Sequence, residues 1–483
     1  MHMIKNVWLT VHGYHKIIIA VCATISIVLV SIIPPFDTDL GWHLRYGSYF
    51  WDNFQVLRTN ELTYFLHDYT WSHSYSIYQA ITFVLYKIGG LEALMVGYGF
   101  LIGILYIVFG TLFKNSWYVS TLAFILFLWI GLSTLSLGWR AQVFSLLCFM
   151  LVFLILRSSH SIKRILLLGV LFVFWVNFHG GFVIGLAVVG FDFVSQIYTV
   201  SRREKVLVSI GLAVSVFATF INPFGWGVYE EILNHLQTPM HLLVAEWVGP
   251  STLVQVIYIG LSFLWIWILY TSNHKRKYFW SMCVLFVTYL SISALRHGVY
   301  MPLIFFVSVA DVFTHKLIML NKQEVVHISA WVLVVGGFLI GIFSMGPAFN
   351  DVKNWDRYCT QGLRIYPCEI IEYLTNSPLP SGSHLYTLFE WGGFLSWQLP
   401  EYTYFVDGRM PAWKTDDGVS PYTTYLEIIQ AKDGFSENLV DYGTEYLLIA
   451  NGTFLDIRLS EGDMLWRELY RDKTAVIYQT DNK

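Results

Sequence analysis

The feature that most limits how this 483-residue chain can fold is a succession of long, nearly uncharged apolar runs separated by short polar loops. Twelve such runs read as helices: 17–33, 75–88, 94–113, 117–137, 141–156, 165–178, 180–200, 206–221, 252–270, 278–295, 299–313 and 327–343. Crossing the hydrocarbon core of a bilayer takes about 20 helical residues, and most of the runs approach that length. Charged residues make up only 13% of the chain, about half the share of a soluble globular domain. The pattern excludes a soluble fold and predicts a polytopic α-helical membrane protein with membrane lipids as its surroundings. The basic clusters are short and lie between apolar runs, so nucleic acid is not an expected partner.

The basic residues set the topology. Compact basic loops lie at 157–164, 202–205, 275–277 and 316–322, each pair separated by two runs, so all four share one side. By the bias of Lys and Arg toward cytoplasmic loops, that side is cytoplasmic, together with Lys5 and Lys16. Five runs lie between Lys16 and Arg157, so one of them does not cross. The 75–88 run is the exception: Ile77, Tyr78, Ile81, Val84, Leu85 and Ile88 form one apolar stripe with polar residues elsewhere, as in a helix lying in the membrane interface. About 11 transmembrane helices remain, with the N-terminus inside and the C-terminus outside. The first run ends in Pro34-Pro35-Phe36 without a small-residue cleavage site, which predicts an uncleaved first span.

Beyond Phe343 the composition becomes that of a soluble domain. Residues 1–345 are thus expected to form the transmembrane region and 346–483 a small extracytoplasmic α/β domain. Strands are predicted at 384–388, 402–406, 446–449 and 474–478, with helices at 424–432 and 463–471. Cys359 and Cys368 lie in this region; a disulfide on an oxidising side and two free thiols are both open.

The chemistry concentrates in the first external loop, where Asp37, Asp39, His43 and Arg45 fall within nine residues just beyond the first span. A carboxylate there can take a proton from an attacking hydroxyl or bind a divalent cation. Asp39 also stands where it would N-cap a helix starting at Leu40, leaving Asp37 as the base and Asp39 as cap or metal ligand. Arg140 and Arg296 are the only basic residues at the outer ends of the later spans. The planar fork of arginine suits phosphate, and His297 lies beside Arg296. His179, before Gly180 and Gly181, sits in a tight outer turn, and Glu246 precedes Trp247 in the second external loop. Asp407 and Arg409 stand at the end of a predicted strand, a common binding position.

The stretch Asp37-Thr-Asp39-Leu-Gly-Trp42-His43-Leu44, followed by Arg58-Thr-Asn-Glu-Leu-Thr-Tyr64 and Trp71, resembles the GT-C superfamily of membrane glycosyltransferases. That superfamily includes protein O-mannosyltransferases and aminoarabinose transferases, and the pattern is most similar to uncharacterised bacterial members. Asn177-Phe-His179-Gly-Gly-Phe182, Asn222-Pro-Phe-Gly225, Glu246-Trp247 and Glu390-Trp-Gly-Gly393 extend the resemblance over residues 34–480. It implies interfacial helices and an essential acidic residue in the first loop. It also implies transfer of a sugar from a polyprenyl-phosphate-linked donor on the extracytoplasmic face of the cell membrane. Asp37 and Asp39 would be catalytic and Arg140, Arg296 and His297 would hold the donor phosphate. His43, Arg45, His179, Glu246, Asp407 and Arg409 would line the substrate cavity. A divalent cation, Mg2+ or Mn2+, is a candidate cofactor, with Asp39 a candidate ligand. A polysaccharide polymerase or ligase and a lipid or sugar flippase are the competing readings.

Overall fold

A computed structural model of the chain describes residues 2–360, 365–462 and 465–481. It divides into two compact units, and neither is continuous in sequence. The first comprises residues 1–35, 91–225 and 245–349; the second comprises 36–90, 226–244 and 350–483.

The first unit is helical. Across the whole chain, four described helices are long and apolar enough to cross a membrane: Ser76–Leu112, Ala245–Thr271, Leu295–Val312 and Glu324–Lys353. Shorter apolar helices accompany them at His15–Val30, Trp117–Ile130, Ala141–Leu156 and Phe182–Gln196. The helices show little polar face, as segments surrounded by lipid or by one another require. The basic loops provide the helix starts: Ser161 caps the helix Ile162–Val176, and Ser201 with Glu204 forms a reciprocal capping box on Arg202–Ala218. Buried ion pairs anchor the same ends. Asp192 binds Arg164 and, at 3.0 Å, Arg276, while Arg157 stands 3.4 Å from Asp311.

The helix Ser76–Leu112 is interrupted at Gly89–Gly90, where Gly90 has φ 61°, a left-handed conformation that costs glycine nothing. The break coincides with the division between the units, so residues 76–88 belong with the second and 91–112 with the first. This is the run whose amphipathic stripe set it apart in the sequence.

The second unit is built on a five-stranded mixed sheet of β1 (His384–Thr387), β2 (Thr403–Tyr404), β3 (Tyr446–Ala450), β4 (Trp466–Arg471) and β5 (Ala475–Thr480), in the order β2-β1-β3-β5-β4. The β1–β2 and β1–β3 pairs are parallel, and β3–β5 and β4–β5 antiparallel. The first loop extends the sheet: Tyr64 N–H donates to the Tyr404 carbonyl at 3.0 Å, and Tyr404 N–H to the Leu62 carbonyl at 3.1 Å. Trp42, Tyr46, Leu57, Leu62, Phe65 and Trp71 of the loop pack in one core with Phe405, Val406, Trp413, Leu447 and Tyr478. The helix expected over 463–471 is instead strand β4. The stretch Trp466-Arg-Glu-Leu-Tyr-Arg471 shows no strand-like alternation, and β5 offers an antiparallel partner, with a register shift between Glu468 and Tyr470, that no local pattern reveals. Asp463 and Met464 lie outside the described residues.

Candidate functional site

The aspartate loop belongs to the sheet unit. Asp37 is buried, with 5% of its surface exposed. Its Oδ1 accepts the Asp39 backbone N–H at 3.4 Å. Asp39 occupies the N-cap position of the helix Leu40–Asn53 but does not cap it through its side chain, which corrects the capping expectation. Side-chain capping goes with an extended N-cap backbone, whereas Asp39 has φ −80° and ψ −12°. Its Oδ1 accepts the indole N–H of Trp42 at 3.1 Å instead.

Glycines bring the backbone close around this loop. A Cβ on Gly41 would collide with the Gly393 carbonyl, one on Gly392 with the Val406 carbonyl, and one on Gly408 with the Asp39 carboxylate. Gly393 also lies against the Thr38 carbonyl, where a Cβ would come within 2.6 Å. The Glu390-Trp-Gly-Gly393 motif is therefore a packing surface that lets the helices Phe389–Gln398 and Leu40–Asn53 touch through their backbones. His43 is enclosed by aromatic rings, its centroid 3.6 Å from Trp42, 4.7 Å from Tyr78 and 5.1 Å from Tyr75. Arg45 is half-buried; burial lowers its pKa, opposed by Tyr404, Glu61 and Glu401.

Asp407 and Arg409, expected to line the substrate cavity, are held in a buried hydrogen-bond network of the sheet unit. The exposure of Asp407 is 0% and of Arg409 3%. Arg409 Nε donates to both Asp407 carboxylate oxygens at 2.9 and 3.0 Å, and Nη2 to Oδ2 at 2.7 Å. The remaining donors reach the Tyr46 hydroxyl at 2.7 Å and Asn60 Oδ1 at 2.9 Å. The rings of Tyr46, Trp71 and Trp413 surround the guanidinium at 5.3–5.5 Å. Burial opposes the charge, but Asp407 and Tyr46 together outweigh it and raise the Arg409 pKa. The pair ties the first loop to the sheet within this unit.

The basic residues of the first unit form the second cluster. Arg140, 7% exposed, grips Glu246 with two donors, Nη1 to Oε1 at 3.1 Å and Nη2 to Oε2 at 3.4 Å. The neighbouring Trp247 receives the Arg296 guanidinium on its ring at 4.8 Å and stands 5.9 Å from the His297 ring. Glu246-Trp247 thus holds both outer arginines, one by charge and one by stacking. Arg296 is half-buried and has no carboxylate partner among the described residues. His179 joins the cluster electrostatically: burial, then Arg296, Arg140 and His297, lower its pKa well below the usual imidazole range.

Sequence reasoning missed Glu231 as a buried residue of the sheet unit. It lies on the helix Gly227–Gln237 with 8% exposure and accepts from the Tyr69 hydroxyl at 3.4 Å. Burial raises its pKa to about 7, opposed by the nearby Trp413 indole and by the Tyr69 hydroxyl. Its place among exposed loop residues Glu230 and His241 hides it from any local reading. Cys359 and Cys368 form a disulfide. Among the described residues no three His, Cys, Asp or Glu side chains converge as metal ligands do.

No family model matches the sequence, and no curated protein matches it. Solved structures do. The archaeal oligosaccharyltransferase AglB from Archaeoglobus fulgidus, in complex with an inhibitory peptide and a dolichol-phosphate, aligns at 11% identity with a TM-score of 0.56, covering 98% of this chain and 75% of that one. The Archaeoglobus fulgidus oligosaccharyltransferase in the apo form gives 11% identity and 0.55, covering 97% and 75%. The same protein in complex with Zn and sulfate gives 11% and 0.51, covering 96% and 73%. The chain is a multi-pass membrane protein that shares the GT-C fold of these structures.

Proposed function

We propose that the protein transfers a sugar from a polyprenyl-phosphate-linked donor to an acceptor on the extracytoplasmic face of the cell membrane. The observation that carries this reading is the cluster of Arg140, Arg296, His179 and His297 in a chain of GT-C fold, with Arg296 lacking a carboxylate counter-ion among the described residues. A half-buried cation held on a tryptophan face and left without an anion of its own suits a phosphate ligand. The dolichol-phosphate bound by the archaeal oligosaccharyltransferase of this fold supports a lipid phosphate as that ligand.

In the reaction, the acceptor oxygen attacks the anomeric carbon of the sugar while the bond from that carbon to the phosphate oxygen breaks. The acceptor proton passes to the Asp37 carboxylate, and the phosphate leaves as an anion. Arg296, with Arg140 beside Glu246, stabilises the charge that develops on the leaving group. Asp39, engaged by the Trp42 indole and packed against Gly408, orients the loop that carries Asp37. His43 and Arg45 belong to the same loop and are proposed as residues of the substrate cavity.

The proposed topology has eleven crossings, with a transmembrane region up to about residue 345, a cytoplasmic N-terminus and the sheet outside. The basic loops and the Cys359–Cys368 disulfide, a bond that persists in oxidising compartments, support it. The test is an assay of sugar release from polyprenyl-phosphate sugars by purified protein, with mass spectrometry of the lipid that co-purifies. Full activity in folded Asp37→Asn and Arg296→Ala variants would sink the reading.

A further inference from the structure

The helix Gly227–Gln237 divides its surface into three stripes. The inner stripe packs within the sheet unit: Val228 and Glu231 are buried, with Ile232 and His235 half-buried beside them. The Tyr69 hydroxyl donates to the Glu231 carboxylate at 3.4 Å, and past the helix end the Tyr422 hydroxyl donates to the Leu243 carbonyl at 2.7 Å. Leu243 also packs against the aromatic core of that unit. The outer surface carries the other two stripes. Trp226, Tyr229, Leu233 and Leu236 follow one another at steps of three, four and three residues, which sets them in one row along a helix. Trp226 stands at the N-cap but has helical dihedrals, so the row starts with it. Glu230, Asn234 and Gln237, at steps of four and three, form a second row alongside.

The apolar row faces outward. Leu233 is 47% exposed and Leu236 71%, and Leu242, beyond the helix, is again 71% exposed. A helix covering a core in water turns its leucines inward and its carboxylates outward; here Glu231 is inside and the leucines are outside. That reversal calls for an apolar medium around the outer row, and the chain itself identifies it as lipid. Leu242 stands three residues before Ala245–Thr271, one of the four helices long and apolar enough to cross a membrane. The row is led by the stacked rings of Trp226 and Tyr229, 5.2 Å apart, and Trp and Tyr concentrate where lipid meets water. The polar row lies beside the apolar one, as a helix lying flat in the interface requires, with one flank in acyl chains and the next in water.

We infer that the helix Gly227–Gln237 lies in the membrane–water interface, with Trp226, Leu233, Leu236 and Leu242 in lipid and Glu230, Asn234 and Gln237 in water. The segment 226–244 then works as a strap: its inner stripe is fastened to the sheet unit and its apolar row to the lipid surface. Residues 226–244 contain no Lys or Arg, so the attachment is apolar and does not select anionic headgroups. The inference needs only the membrane character of the chain and stands apart from the proposed glycosyl transfer.

The experiment uses full-length protein in phosphatidylcholine nanodiscs, with a nitroxide carried on p-acetylphenylalanine so that the cysteines stay as they are. The label replaces Leu233, Leu236, Asn234 and Gln237 one at a time. At Leu233 and Leu236 it is expected to collide more with oxygen, which partitions into lipid, than with a water-soluble nickel chelate; at Asn234 and Gln237 the order reverses. The first pair should sit about 5–10 Å into the boundary between headgroups and acyl chains, with or without added phosphatidylglycerol. A water-like reading at Leu236, or shielding there from both reagents, overturns the inference. Spin–spin broadening at Leu236 that grows with the number of copies per disc assigns the row to a second copy of the chain and overturns it too. A lipid-like reading that appears only with phosphatidylglycerol overturns the apolar mode of attachment. Leu233→Ser combined with Leu236→Ser, both at exposed positions, should leave the unfolding temperature in detergent unchanged. In nanodiscs the same variant should quicken amide exchange across the helix about 10–100-fold, the worth of one leucine withdrawn from an apolar medium. Exchange that stays as in the wild type overturns the strap.

Discussion

The two units carry their charged residues in opposite ways. In the sheet unit Asp407 and Arg409 are fully buried and spend their hydrogen bonds on each other, Tyr46 and Asn60. In the helical unit Arg296 is half-buried and rests on the Trp247 ring without a carboxylate partner among the described residues. A charge whose bonds are all made inside the protein has nothing left for a ligand, and removing its partner leaves an uncompensated ion. A charge supported by stacking alone keeps its donors for something else. Sequence proximity to a motif therefore says less about function than whether the side chain still has hydrogen bonds to give.

The largest effects separate chemistry from architecture within the aspartate loop. Asp37→Asn is expected to lower kcat by roughly 10²–10⁴, the range of a lost general base, with thermal unfolding unchanged. Asp39→Asn should lose less, because an amide oxygen can still accept from Trp42. Equal losses in both would make the two carboxylates one functional pair. Arg296→Ala should raise the donor KM and leave folding intact, since the side chain stacks on a ring and forms no ion pair among the described residues.

The reverse holds for the buried pair. Asp407→Asn strands the Arg409 guanidinium and should destabilise the sheet unit by about 3–5 kcal/mol, read as a lowered unfolding temperature of purified protein. Gly41→Ala should act in the same direction, since its methyl meets the Gly393 carbonyl where neither helix can give way. Unchanged stability in Asp407→Asn would mean that the pair is not structural, and the contrast with Arg296 would fail.

How much of this was legible follows from range. The apolar runs, the basic loops and the amphipathic stripe of residues 75–88 are local patterns, and helix and break formed where they pointed. Strands β1, β3 and β5 were legible because apolar β-branched and aromatic residues crowd together there. β4 was not, since its strand character comes from pairing with β5. For the site, residue types were readable and commitments were not. Nothing near Asp407 in sequence announces that Tyr46 and Asn60, more than three hundred residues earlier, absorb Arg409. Nor does anything near Glu246 announce Arg140. The stretch Glu390–Gly393, which the sequence offered only as part of the resemblance, is a close-packing surface, because a glycine reports its reason only when its neighbour is known.

Glu231 supplies a pH-dependent test of the buried side of the comparison. Burial raises its pKa from the ordinary 4.5 to about 7. Between those values the folded protein holds a proton that the unfolded chain has released, so stability falls as pH rises through the window and levels off above it. The span amounts to about 3 kcal/mol at most. Tyr69 and His235 are the titratable groups facing the carboxyl. Glu231→Gln should flatten the dependence, measured by amide exchange in the helix Gly227–Gln237; a slope that survives would place its origin elsewhere.

The smallest expected effect concerns the disulfide. Opening a loop of 9 residues between Cys359 and Cys368 should cost about 2 kcal/mol through the added freedom of the unfolded chain. The bond lies in the sheet unit near the packing that seats the aspartate loop: Trp391 donates to the Ile365 carbonyl at 2.8 Å, and Tyr366 stacks on Phe394 at 4.1 Å. Phe394 follows Gly393, whose Cα backs the Thr38 carbonyl. Cys359→Ser with Cys368→Ser should therefore lower the unfolding temperature of the sheet unit and reduce kcat severalfold, while affinity for a polyprenyl phosphate, a property of the helical unit, stays as it was. Loss of lipid affinity with the cysteines would show that the effect of the disulfide is not confined to the sheet unit, and the contrast between a committed and an uncommitted unit would fail.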